Sequence, residues 1–168
     1  MKKIPLLLYN KPLKSGTIYT EDSIINKAEV LKQGSNRAFF VLTENPKTTV
    51  VPLCDVIFIA NPIFENDGMF ISDLIFIETD ENIEFLKRKK DKRLGLATCG
   101  MGHVTNKDNI QIANNVEIFC AAFADEPVQN NSINISEFVP KYVFYPKWKR
   151  KLVKGLVNVY SWLKSKIE

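Results

Sequence analysis

Leu94-Gly95-Leu96-Ala97-Thr98-Cys99-Gly100-Met101-Gly102-His103-Val104 is the stretch around which this chain is organised. An apolar run meets small residues, two glycines flank Met101, and the run leaves through the single histidine of the sequence. We read residues 94–98 as a strand entering a tight turn. Thr98 carries a hydroxyl and Cys99 a thiol beside permissive backbone, so a nucleophile with His103 as its base is one reading of the turn. The other is a small buried thiol and a histidine at a strand end. Gly100 and Gly102 have the small-residue character of a phosphate loop, yet no G-K-[S/T] follows and no helix starts there, which favours a tight turn.

Working outward from this stretch, Val104 leads through a polar turn at residues 106–109. Residues 116–124 read as a strand with Cys120, Ala121 and Ala122 packed together, ended by Asp125-Glu126-Pro127. Residues 129–134 are polar and read as a linker. On the other side, Thr79 caps a helix over residues 80–91. Its acidic start and its end at Lys87, Arg88, Lys89 and Lys90 suit the helix dipole, and Ile83 and Leu86 face the core. Residues 69–78 are a strand, joined by the hairpin signal Asn66-Asp67-Gly68 to a β-branched run over residues 50–60, with Asn61-Pro62 as a further turn. Residues 38–42 form a short apolar strand. Thr20 opens an earlier helix, with Ile24, Ala28 and Leu31 as its buried stripe and Gly34 as its stop. Residues 1–19 read as extended.

Composition sets bounds. With 168 residues, 45% of them hydrophobic, the chain is long enough for one substantial core. Net charge is +4 but unevenly placed: residues 141–168 hold eight Lys or Arg against Glu168 alone, a net +7. The preceding 140 residues hold fifteen basic against eighteen acidic residues, a net −3. The body is therefore not a basic surface on average. Cys54, Cys99 and Cys120 are an odd set without C-x-x-C spacing, which points to reduced thiols. Glu44, Asp55, Asp73 and Asp125 have no paired spacing that marks an acid or a metal ligand, so neither metal nor cofactor is expected. No apolar stretch approaches the ~20 residues of a membrane span, and the N-terminal segment lacks the form of a signal peptide.

The C-terminal segment has a plain helical pattern. Trp148, Leu152, Leu156, Val159, Leu163 and Ile167 recur at three- or four-residue spacing, with Lys149, Arg150, Lys151, Lys154, Lys164 and Lys166 mostly elsewhere. Three readings stand side by side: docking on the body or a partner, lying on a membrane surface, or touching nucleic acid. Docking is favoured, with Trp148, Leu152, Leu156, Trp162 and Leu163 as partner-binding residues, because buried aromatics dominate interfaces. Lys149, Arg150, Lys151 and Lys154 are the candidate basic contacts.

The order of these elements resembles the prohead maturation proteases of tailed phages, which share the herpesvirus assemblin fold. In that family a phrase of the type R-x-Y-P opens a helix, and Gly16-Thr17-Ile18-Tyr19-Thr20 is similar to it. A strand ending in a phrase like F-G-E-L-D-H-P, whose His is catalytic, is matched by Phe40-Val41-Leu42-Thr43-Glu44-Asn45-Pro46. A phrase like L-G-I-S-S-R-G-L-G-x-V, which carries the catalytic Ser, is matched by residues 94–104, and one like W-D-V-V-x-D-P by Ala121-Ala122-Phe123-Ala124-Asp125-Glu126-Pro127.

The resemblance implies an α+β fold: an assemblin-like, predominantly antiparallel β-barrel or sheet with flanking helices, plus the amphipathic basic C-terminal helix. The departures fall on the chemistry. Asn45 stands at the His position, Ala97 and Thr98 at the serines, Cys99 at the following Arg, and Ala122 at the Asp. An amide does not titrate near neutral pH and a methyl group is no nucleophile, so the general base and one nucleophile position are empty of chemistry.

We therefore expect three parts: an extended arm at residues 1–15, a prohead-protease-like domain at 16–135, and an aromatic and basic segment at 136–168. The expected function is structural rather than enzymatic. The chain would be an auxiliary, decoration or internal protein of a phage head, assembled in the host cytoplasm and carried in the virion, touching the major capsid protein or other head proteins, or packaged DNA. The competing expectation is an active maturation protease using Thr98 or Cys99 with His103.

Overall fold

The longest strands form a hairpin that the sequence disguises. The computed structural model describes residues 3–35, 40–44, 51–129 and 131–167. In it, Arg93–Lys107 and Ile110–Ala124 are two continuous antiparallel strands, with Gly95 opposite Ala124 near one end and Lys107 opposite Ile110 at the other. The turn lies at Asp108-Asn109, whose φ values of 51° and 65° are those of the hairpin turn that matches strand twist.

The expected turn at Gly100–Gly102 is thus corrected to strand, and neither glycine adopts a positive φ. Their absent side chains serve close approach instead. A Cβ at Gly100 would stand 2.1 Å from the carbonyl oxygen of Glu117, and one at Gly102 would stand 2.9 Å from Cγ2 of Val116. The register shifts beside each glycine, between Cys99 and Gly100 and again between Met101 and His103, so the strand bulges where its side chains vanish.

In chain order the elements are β1 (Ile4–Leu8), β2 (Thr17–Tyr19), α1 (Lys27–Ser35), β3 (Phe40–Thr43), β4 (Val56–Glu65), β5 (Gly68–Phe76), α2 (Asp80–Lys89), β6 (Arg93–Lys107), β7 (Ile110–Ala124), β8 (Ile133–Asn134) and α3 (Lys147–Ile167). They form one sheet in the order β1-β5-β4-β3-β7-β6-β8, with β2 also on β7. β2 and β3 run parallel to β7, and the other pairs are antiparallel. This is the mostly antiparallel, nearly closed sheet with flanking helices that the sequence implied.

Side-chain amides join what the backbone ladder leaves open. Asn131, 2% exposed, donates through Nδ2 to the carbonyls of Leu6 on β1 and Leu96 on β6, and its Oδ1 accepts from the Leu96 N–H. Gln129 takes the Leu8 N–H at 2.7 Å and donates to the carbonyls of Leu8 and Lys11. The expected polar linker at 129–134 is therefore a seam that joins β1 to β6, and its last residues form β8. A third amide, on Asn26, pairs with the backbone of Ile118 in the same way, donating to the carbonyl at 2.8 Å and accepting from the N–H.

That third pairing corrects the first helix. A 3₁₀ turn at Glu21–Ser23 gives way to an extended stub, where Ile24 bridges Val116, before α1 begins at Lys27. Among the described side chains of α1, Val30 is buried while Ala28 and Leu31 are exposed, and Gly34 lies inside the helix. Asn61-Pro62 is also not a turn. Pro62 sits within β4, opposite Ile71 of β5.

The Asn66-Asp67 hairpin and the Thr79 cap are as expected. Glu65 pairs with Gly68, and the Thr79 hydroxyl accepts from Asn82 N–H at 3.1 Å. The buried side chain of Asn82 donates to the carbonyls of Val56 and Ile77, which ties α2 to the sheet.

The core runs through both ends of the chain. Ile4, Leu6 and Leu7 of β1 are buried in it, so the N-terminal extended segment is a strand of the sheet. Ile135, Val139 and Val143 belong to the same cluster, which carries the body past residue 135. Phe58 packs against Phe76 and Phe123 with ring centroids 5.5 and 5.9 Å apart, and Phe85 of α2 packs on Phe123.

Two outcomes follow from the seam and the glycine contact. Asn131→Ala leaves buried backbone groups of Leu6 and Leu96 without partners, and should lower the unfolding free energy by about 3 kcal/mol in urea titrations with an unchanged slope. Gly100→Val drives a side chain into the Glu117 carbonyl and should cost at least ~2 kcal/mol by the same measurement.

Candidate functional site: the β3–β7–β6 row and the basic helix

Strand register brings two of the positions matched to the protease phrases together, Ala97 and Ala122. Thr43 on β3 pairs with Ala122 on β7, and Ala122 pairs with Ala97 on β6. Thr43, two residues before Asn45, is fully enclosed. Asn45 itself lies outside the described residues.

Successive side chains on a strand alternate faces, so Ala97 and Ala122 share one face with Cys99 and Cys120, which oppose each other one step along. Thr98, opposite the core residue Ala121, points to the other face. The row therefore presents a methyl from β6, a methyl from β7, the Thr43 side chain and, beside them, two thiols.

His103 is not brought to this row. It stands opposite Asn114, exposed, beyond both bulges. Four residues of extended strand separate it from Cys99, about 13 Å at the usual rise per residue. The Thr98 or Cys99 pairing with His103 expected under the protease alternative is not formed in this geometry.

Cys99 has a chemistry of its own. It is half-buried, and its thiol donates to the carbonyl of Ala97 at 3.6 Å. A hydrogen bond from the Cys120 thiol, aided by the backbone N–H of Ala122, outweighs burial and holds the Cys99 thiol below its ordinary range. The same contact and burial push the Cys120 thiol strongly up. Cys120 is 1% exposed. Sequence reading noted Cys120 only as a small packed residue, because the register that opposes it to Cys99 depends on a bulge.

Next to the row, a cleft of about 550 Å³ is lined by Thr43, Glu44, Asp55, Arg88, Lys89 and Asp125, among others. It gathers three of the four acids singled out from sequence, and Asp73 is elsewhere, on the Asn61 amide at 2.9 Å. The acids of the cleft are partly neutralised: Arg88 reaches Glu44 at 3.3 Å and Lys89 reaches Asp125 at 2.5 Å. Lys89 accordingly holds the Asp125 carboxyl below its ordinary range. Among the described residues no three His, Cys, Asp or Glu side chains are grouped to hold a metal.

The second candidate surface is α3, and its foot is clamped. Pro146 precedes it, and the buried Arg150 donates to the carbonyl of Tyr145 at 3.1 Å and to Asp80 at 3.4 Å. Lys147 meets Asp80 at 2.7 Å, Lys154 meets Glu78 at 2.9 Å, and Lys149 lies over the Tyr145 ring. Of the expected basic contacts, Arg150 and Lys154 are therefore engaged with the body's own acids, while Lys151 is exposed.

The apolar stripe is not covered by the body. Trp148 is 69% exposed, Leu156 63% and Trp162 60%, with Leu152 and Leu163 also open. No described helix is long and apolar enough to cross a membrane.

The fold is similar to that of the bacteriophage T4 capsid assembly protease, gp21. The match has a TM-score of 0.60 at 14% identity and covers 74% of this chain and 81% of that one. Identity at this level speaks for the shared fold. No family model and no curated protein sequence matches the chain.

The clamp at the foot of α3 has a sign that can be tested. Lys147 first, by hydrogen bond and charge, and Arg150 after it hold the Asp80 carboxyl below its ordinary range. A depressed folded pKa contributes stability that is present above the unfolded value and lost as pH falls through the folded one. Trp148 emission should therefore change as the solution is acidified below ~pH 4, the usual aspartate range. In Asp80→Asn the neutral-pH spectrum should already resemble the acid form, and the acid step should vanish.

Proposed function

We propose that this chain is a structural protein of a phage head, built on a prohead-protease fold whose catalytic positions have lost their chemistry. The observation that carries the reading is the β3–β7–β6 row. Ala97 and Ala122, the positions matched to a serine and an aspartate of the protease phrases, are cross-strand partners. Their two methyl groups offer neither nucleophile nor carboxylate. Residues that act as one catalytic unit lose most of their effect when any one member goes, so joint replacement fits a scaffold better than an enzyme. The fold likeness to the T4 capsid assembly protease supports the phage-head context.

In this reading the body is the rigid part and α3 makes the contacts. Trp148, Leu152, Leu156, Trp162 and Leu163 offer an uncovered apolar stripe to the capsid protein or another head protein, and the exposed Lys151 lies on the same helix. Packaged DNA is the second partner the charge allows. The residence would be the phage head, after assembly in the host cytoplasm.

Co-expression with the capsid and scaffolding proteins of the same phage tests the proposal. Those proteins should remain uncleaved, and this chain should co-sediment with assembled shells. Trp148→Ala together with Trp162→Ala should weaken that association at least tenfold while the body stays folded. Cleavage of a head protein that disappears in Thr98→Ala or Cys99→Ala would overturn the proposal and restore the protease. Binding to DNA with a steep salt dependence, lost on deleting residues 147–168, would assign the helix to nucleic acid instead.

A further inference from the structure

The two thiols beside the Ala97–Ala122 pair have a geometry that the structural role does not use. Cys99 and Cys120 are direct partners on antiparallel strands, and both are free. Directly opposed residues on such strands have Cα atoms about 4.5 to 5.5 Å apart. A disulfide needs about 4.4 to 6.8 Å, so the ladder already supplies the spacing. The register shift next to Cys99 places a bulge there, which loosens the local pairing through which the two sulfurs adjust.

We propose that Cys99 and Cys120 are a redox pair that closes into a cross-strand disulfide by exchange with a small-molecule disulfide, Cys99 attacking and Cys120 resolving. The division of labour follows from exposure. Cys99 is half-buried at the surface of the row, and a small disulfide reaches it; Cys120, 1% exposed, is reached only by Cys99. The hydrogen bonds from Cys120 and from the Ala122 N–H favour the Cys99 thiolate, which is the nucleophilic form.

The chemistry balances in two steps. The Cys99 thiolate attacks one sulfur of the small disulfide, forms a mixed disulfide and releases the other half as a thiolate. This removes the negative sulfur that raised Cys120. Cys120 then gives its proton to solvent, and its thiolate attacks Sγ of Cys99 and expels the second half. The protein dithiol is oxidised by two electrons, and the small disulfide is reduced to two thiols. The bond would staple the midpoint of the β6–β7 hairpin next to the degenerate row. The inference does not depend on the phage-head reading.

The test uses the full chain carrying Cys54→Ser, which removes the exposed third thiol. Incubated with oxidised glutathione, the folded protein should lose both remaining thiols while gaining no glutathione mass. Trypsin cuts after Arg93, Lys107 and Lys141, so non-reducing mass spectrometry should find residues 94–107 linked to residues 108–141, minus two hydrogens. Dithiothreitol should separate them. Cys120→Ala should stop at a single glutathione adduct on Cys99, and Cys99→Ala should leave Cys120 unmodified in the folded chain. A stable glutathione adduct on the Cys54→Ser chain, two thiols that stay free, or a bond only between two chains would each overturn the proposal. The linked-peptide readout needs neither alanine variant to fold.

Discussion

The sheet of this protein holds its two outer regions together through one buried amide. Asn131 bonds Leu6 on β1 and Leu96 on β6, strands that the backbone ladder leaves unpaired with each other. An amide carries a donor and an acceptor in the arrangement of a peptide group, so it completes a ladder where no strand fits. Gln129 and Asn26 repeat the device at Leu8 and Ile118. In each case buried or half-buried backbone groups gain partners that water would otherwise have to supply. The core of β1, with Ile4, Leu6 and Leu7 inside, depends on that seam staying closed.

The same device explains which parts of the fold the sequence disclosed. Local signals were readable because their causes are local. Asn66-Asp67 makes a two-residue hairpin and Thr79 caps α2, each within a few residues. The seam was not readable, since Asn131 meets partners 35 and 125 residues away and polar residues near a proline look like a linker. The hairpin of β6 and β7 was hidden for a related reason. Gly100 and Gly102 are turn residues by local rule, and only the backbone of β7 pressed against them gives them another role. At the site, the row of Thr43, Ala122 and Ala97 follows the family phrases closely, but the thiol pair depends on a bulge that no spacing rule reveals.

Charge separates the molecule into two working regions. The tail's surplus of cations is partly spent against the body's own acids, at Asp80 and Glu78, and this fixes the first turns of α3. The apolar stripe starts within the same turns, at Trp148 and Leu152, and continues to Leu156, Trp162 and Leu163. The side chains of this element are thus divided between ion pairs to the body near its base and an exposed stripe along its length, a division that the helical periodicity of the sequence does not contain.

The consequence of that division is mechanical. At 1.5 Å per residue the 21 residues of α3 make a strut about 31 Å long, gripped by ion pairs near its base. A tilt of about 10° at Arg150 moves the far tip, about 25 Å away, by about 4 Å. A small rearrangement of the Asp80 clamp would therefore be amplified into a displacement of the tip several times larger than the movement at the base.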